Sequence, residues 1–121
     1  MGKETVSQTN DYKQNPEVFV YLKADKNIQN IFIDNILYIE SWKDYIKLFP
    51  TTGKNLLLKQ SISSMENLLS DHRFLRGYRS YIVSVNKISI YNGLSMQMNV
   101  AEIPIGRLYK QTVMETLQAH S

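Results

Sequence analysis

The sequence predicts a mainly β domain with one short helix. Three observations carry that prediction. From Val18 onward, short runs rich in Val, Ile, Tyr and Phe recur along the chain. Polar or Gly-containing turns separate them, and only one stretch combines helical spacing with a start signal.

Residues 1–17 (MGKETVSQTNDYKQNPE) are polar, almost without aliphatic side chains, and carry Pro16 near their end. They read as a linker or flexible chain end, which leaves 18–121 as the folded domain. Val18–Lys23 is the first expected strand, and Asn27–Ile33 the second, across Ala24-Asp25-Lys26. Ile36–Ser41 and Tyr45–Pro50 flank Trp42-Lys43-Asp44, and Thr51-Thr52-Gly53-Lys54 is a turn from which Asn55–Lys59 returns as a hairpin partner. A capping box at Ser63-Ser64-Met65-Glu66 predicts the helix, with Ile62, Met65, Leu68 and Leu69 on one face and an end near Ser70-Asp71. Strand resumes at Tyr81–Val85 and Ile88–Tyr91, Asn92-Gly93 turns the chain, and Ser95–Val100 alternates in period two. A turn at Ala101-Glu102 leads to Ile103–Ile105, and Leu108–Leu117 suggests a strand end followed by a short terminal helix with Tyr109, Val113 and Leu117 on one side.

Composition narrows the function. At 121 residues with 43% hydrophobic and 21% charged side chains, the chain has the size and balance of one globular domain. No apolar run approaches the roughly 18 residues of a membrane span. The N-terminus lacks a secretory pattern, so a cytoplasmic location is expected. With no cysteine and only His72 and His120, neither a disulfide framework nor a thiolate or histidine-rich metal site is expected, and no cofactor is implied. No nucleophile elbow or phosphate-cradling glycine loop is present, and Glu40, Glu66, Asp71 and Glu102 sit where turns, caps or ion pairs would use them, so an enzyme is not expected. Glu40 is the least ordinary of the four, because it ends an otherwise apolar strand and suggests an internal hydrogen bond or an arginine partner.

Charge is uneven along the chain. Residues 1–17 hold Lys3 and Lys13 against Glu4, Asp11 and Glu17, a balance of −1, whereas the remainder holds 12 basic and 8 acidic residues, a balance of +4. From Arg73 to Lys110 six basic residues face Glu102 alone. Such a surface attracts phosphates. Within it, Arg73, Arg76 and Arg79 alternate with Phe74, Leu75, Tyr78 and Tyr81, in what reads as a loop offering guanidinium forks to phosphates or guanine edges. The plainer alternative makes Phe74 and Tyr81 core residues and leaves the arginines covering the sheet or solvated.

The order of five blocks then adds a resemblance. Asp34–Glu40, Tyr45, Ser63–Leu69, Phe74–Val83 and Ile103–Lys110 together resemble the LytTR family of bacterial response-regulator output domains, over residues 18 to about 117. The resemblance implies an elongated, mostly antiparallel β fold of about ten strands with a small helix, which places loops in successive major grooves of promoter DNA. The family usually has a histidine two residues after the position of Arg76 and an asparagine directly after the valine of that block, where this chain has Tyr78 and Ser84. A phenol can still hydrogen-bond a phosphate.

Carried over by position, the resemblance implicates three loops. Lys43 and Tyr45 are the candidates in the first, with Trp42 packing on the sugar-phosphate surface or capping the core. Arg79 is the contact in the second and Arg107, after Gly106, in the third, where the plainer alternative is a surface salt bridge. Lys43, Arg76 and Lys110 are expected to anchor phosphates, Arg79 and Arg107 to reach base edges, and Tyr78 to face the same surface. The implied partner is duplex promoter DNA, bound by a homodimer on repeated half-sites because one small module buries little surface. An N-terminal receiver is expected in the full-length regulator, and this chain is expected to be its excised output domain. The competing reading is a β-rich interaction module that binds an acidic protein.

Overall fold

The computed structural model describes residues 18–120. Among these residues ten strands and two α-helices are laid down in chain order, and all the strand pairing is antiparallel. They are β1 (Phe19–Lys23), β2 (Ile28–Phe32), β3 (Ile36–Trp42), β4 (Tyr45–Pro50), β5 (Leu56–Leu58), α1 (Ile62–Leu68), β6 (Phe74–Tyr78), β7 (Tyr81–Ser84), β8 (Ile90–Tyr91), β9 (Ser95–Met98), β10 (Ala101–Pro104) and α2 (Lys110–Gln118). They form a two-stranded sheet of β1 and β2, a five-stranded sheet in the order β5-β4-β3-β7-β6, and a three-stranded sheet in the order β10-β9-β8. The mainly β expectation, its strand number and the terminal helix hold.

The five-stranded sheet is the centre, because both its faces are covered. Adjacent residues of β7 show this: Ile82 belongs to one buried cluster and Val83 to another, and side chains of neighbouring strand residues point to opposite faces. On the first face Ile39, Ile46, Leu48, Leu58 and Ile82 meet Met65 of α1, Leu69 at its C-cap, and Leu22 and Ile31 of the β1–β2 hairpin. On the second, Tyr38, Leu75 and Val83 meet Met96, Met98 and Ile103 of the three-stranded sheet and Val113 and Leu117 of α2. Each such large side chain contributes roughly 1.5–3 kcal/mol on full burial. The strands therefore read as near-continuous apolar runs, with four successive buried residues in Ile36–Ile39.

Four local readings are corrected. Residues 74–78, read as a loop, form the edge strand β6, in which Arg76 pairs with Ile82 across β7. The helix starts at Ile62 and its cap is Ser61, whose hydroxyl accepts from the Ser64 amide at 3.0 Å, in place of the Ser63 box. Ala101 and Glu102 belong to β10, and the turn before it is Asn99-Val100, with Asn99 in the left-handed region at φ 56°. Val85–Lys87 is a 3-10 turn, which shortens the strand expected from Ile88 to the two residues of β8.

Gly77 marks where the sheet and the second core meet most closely. A Cβ on it would lie 2.6 Å from Cε of Met96, a methionine with no exposed surface. Its φ is not positive, so the restriction is steric. Because the atom met is the free end of a flexible methionine, Gly77→Ala is expected to cost about 1 kcal/mol, the low end of overpacking. Urea denaturation of Gly77→Ala, Met96→Val and the double variant checks it: the double variant should be more stable than the two single losses add up to, and strict additivity would refute a contact between the two residues.

Candidate nucleic-acid interface

Three connections converge at one end of the central sheet. The β3–β4 hairpin turns through Lys43-Asp44, with Trp42 opposite Tyr45 in the last pair and Lys43 left-handed at φ 57°. The β6–β7 turn is Arg79-Ser80, and the amide of Ser41 donates to the carbonyl of Ser80 at 2.8 Å, which fixes this tip beside the first. The third connection leaves β10 through Ile105-Gly106 into a 3-10 turn at Arg107–Tyr109 and then α2. It is tied to β6 by the amide of Gly106, which donates to the carbonyl of Gly77 at 2.8 Å.

Gly106 is needed for this closeness. A Cβ there would lie 3.1 Å from Tyr78 Cδ1 and 3.2 Å from Tyr109 Cδ2, so even a methyl group would require the two rings to give by a few tenths of an ångström. As a result Arg79 and Arg107 border one shallow groove of about 240 Å³, shared with Tyr78, Leu108 and Tyr109. Lys43, Arg79 and Arg107 are all exposed, and none forms an ion pair among the described residues.

Arg76 stands apart from them. Its side chain keeps 14% of its surface accessible, Nη1 donates to Glu66 Oε1 of α1 at 2.7 Å, Nε donates to the carbonyl of Tyr78 at 3.2 Å, and Nη2 donates to the carbonyl of Arg79. The guanidinium also lies 5.7 Å from the centre of the Tyr109 ring. The donors of Arg76 are thus turned inward, and what they hold is the turn that displays Arg79. Glu66, read as half of a capping box, serves this arginine instead.

The remaining candidates divide in the same way. Tyr78 is half-buried, its ring against Gly106 and 6.0 Å from that of Tyr81. Tyr45 is half-buried beside Trp42, which is 48% exposed with Lys47 Nζ 5.4 Å from its ring centre. Lys110 opens α2 and directs its ammonium to the β8–β9 turn, 3.3 Å from where a Cβ on Gly93 would stand. Arg107 and Lys110 both sit at the N-terminal end of α2, whose first turn has no acidic residue and no side-chain cap. A helix N-terminus already favours anions, and two cations there add to that field.

One half-covered strip borders the loops. Tyr38 stacks on Phe49 at 4.3 Å, and the Tyr81 hydroxyl donates to Glu40 Oε2 at 3.2 Å. Burial first, then the negative charge of Glu40, raises both the Tyr38 and Tyr81 phenols above their ordinary value, which keeps the Tyr81 hydroxyl a protonated donor to Glu40. Glu40 thus has the internal hydrogen bond that its strand position suggested. Among the described residues no group of three acidic, His or Cys side chains is placed to hold a metal ion, and no helix is long and apolar enough to cross a membrane.

The model of the LytTr DNA-binding domain family matches residues 26–118. The chain belongs to that family. Among solved structures it is similar to a LytTr DNA-binding domain from a Bacillus cereus protein described as a methyl-accepting/DNA response regulator, with 21% identity and a TM-score of 0.69 over 84% of this chain and 97% of that one. No curated protein matches it. This LytTR chain carries the mainly β fold of that DNA-binding domain family, and its three converging loops each present a basic side chain.

Holding the turn through Arg76 has a measurable cost of removal. Arg76→Lys keeps the charge but loses the planar fork that serves Glu66 and two carbonyls together, and about 1–3 kcal/mol of stability should go with it. Glu66→Gln should cost under about 1 kcal/mol, since Glu66 is 47% exposed and water screens the pair. Thermal and urea unfolding would show the order, and a larger loss in Glu66→Gln than in Arg76→Lys would contradict this account.

Proposed function

We propose that the domain binds promoter duplex sequence-specifically, as the output half of a two-component regulator, with two copies on repeated half-sites. The observation that carries this reading is the convergence of Lys43, Arg79 and Arg107 on three neighbouring loops, exposed and without acidic partners among the described residues. Loops held on a rigid sheet are the usual carriers of recognition. Cations gathered at one end of a mildly basic domain suit a polyanion better than the scattered pairing of a solvated face.

The roles divide by chemistry. Arg107 follows a glycine that lets the backbone approach a surface, and its fork matches the O6 and N7 acceptors of a guanine edge. Arg79, on the neighbouring turn, is the second base contact. Lys43 and Lys110 are point charges suited to phosphates, Tyr45 borders the first loop, and Trp42 covers sugar-phosphate surface beside Lys43. Arg76 and Tyr78 support the other loops from inside: Arg76 fixes the Arg79 turn and Tyr78 packs against Gly106. One module of this size buries too little surface for selective affinity, which is the reason for two copies. A receiver domain controlling their pairing would complete the regulator, acting on DNA in the cytoplasm.

Two measurements test this. Affinity for duplex should fall linearly against salt on log–log axes with a slope near −0.9 for each phosphate neutralised. A flat response would rule out phosphate anchoring, while a steep one without preference for any duplex would favour an acidic protein as partner. On a duplex selected from a random pool, Arg107→Ala should cost roughly 1–3 kcal/mol and much less on random DNA. Lys110→Ala should weaken both about equally. Equal losses in Arg107→Ala on both duplexes, with folding unchanged, would reduce Arg107 to an anchor.

A further inference from the structure

The 3-10 turn at Arg107–Tyr109 sends its three side chains in two directions. Tyr109 turns inward, its ring against the Arg76 guanidinium and beside Gly106. Arg107 and Leu108 turn outward. Leu108 is 91% exposed and takes no part in either buried cluster, although it lies between an arginine and a tyrosine of the cationic groove. An exposed leucine is ordinary on a protein surface and by itself means nothing. Val100, at a hairpin tip, is as exposed at 92% without any such neighbourhood. The position of Leu108 is what distinguishes it: a branched apolar side chain stands exposed on the segment that carries Arg107, one residue further on, at the rim of the groove that Arg79 also borders.

We propose that Leu108 is a specificity-determining residue that reads the C5-methyl group of a thymine in the major groove, next to the base pair whose edge Arg107 contacts. This rests on the base-reading role given above to Arg107. The major-groove edge of thymine offers one apolar feature, the methyl group, and an apolar side chain recognises it by excluding water from both surfaces. Lysine or glutamine in the same place would reach phosphates or acceptors, which discriminate bases differently. The turn is held from inside by Tyr109 and by the Gly106 to Gly77 hydrogen bond, so Leu108 is presented from a fixed backbone rather than a loose loop. The arginine fork and the leucine side chain, one residue apart, would then read two adjacent base pairs as guanine and thymine.

The experiment uses the full chain and a preferred duplex selected from a random pool. Each thymine is replaced singly by deoxyuridine, which removes only the methyl group, and dissociation constants are measured at matched salt for the native chain and for Leu108→Ala. One thymine, within one or two base pairs of the guanine whose replacement no longer matters in Arg107→Ala, should cost the native chain roughly three- to five-fold, the value of about one buried methyl group. Leu108→Ala should lose a similar factor on the unmodified duplex and nothing further on that deoxyuridine duplex. Losses that multiply, or a native chain indifferent to every methyl group, would overturn the role of Leu108 while leaving Arg107 in place. Absence of any preferred duplex would remove the base-reading premise and Leu108 with it. The variant should unfold at the native urea midpoint, since Leu108 lies outside both cores.

Discussion

The guanidinium of Arg76 is the constraint on which the rest of the cationic end depends. It is a charge mostly removed from water, and such a charge is tolerated only when its donors are used. Arg76 uses them on Glu66 of α1, on two carbonyls of the chain reversal after β6, and on the face of Tyr109. These partners come from different parts of the sequence. One side chain therefore ties the helix on the first face of the sheet to the turn bearing Arg79 and to the segment bearing Arg107. A lysine offers a point charge without the fork, so it cannot serve the same three directions at once.

That clamp works because the sheet beneath it cannot shift. With buried clusters on both faces, a slip of one residue in β7 would exchange Ile82 and Val83 and disturb both cores together. Register is thus fixed twice over, and the tips of the two hairpins inherit that precision. Ser41 bonded to Ser80 holds the tips side by side. The cationic surface is built from loops, but the loops are short and anchored, which would suit the proposed recognition without a large ordering cost.

Much of the fold was legible because it rests on period and turn chemistry. The first five strands, the Asn92-Gly93 turn and the Val113 and Leu117 face of the last helix could all be read from side-chain pattern. What the pattern could not show was β6. Its residues include a glycine and an arginine, which argue for a loop locally, whereas both are there for tertiary reasons: Gly77 because Met96 presses against it, Arg76 because Glu66 awaits it. The same pairing explains why Glu66 looked like part of a cap. Ser61, two residues earlier than expected, was equally available as an N-cap, and no local signal separates the two serines. At the cationic end, the positions of Lys43, Arg79 and Arg107 were legible by resemblance and their exposure agrees with a role on a surface. The inward turn of Arg76 was not, because a basic residue in a basic run gives no sign of which way it faces.

Tyr78 shows how a departure from a family pattern can be read physically. Where the resemblance implies an imidazole, this chain has a phenol ring packed against Gly106, 3.1 Å from where a side chain would begin. Tyr78 and Gly106 therefore constrain each other. The bulk of the phenol fills the space between β6 and the link to α2, and the glycine lets that link come close enough to bond Gly77. The ring thus makes a packing contact beneath the link that leads to Arg107. On the proposed reading of the duplex, polar contact at this end would fall to the side chains that remain exposed. Arg79, one residue on, is exposed and without an ion-pair partner among the described residues, which suits it to that proposed part, and its carbonyl is held by the inward-facing Arg76.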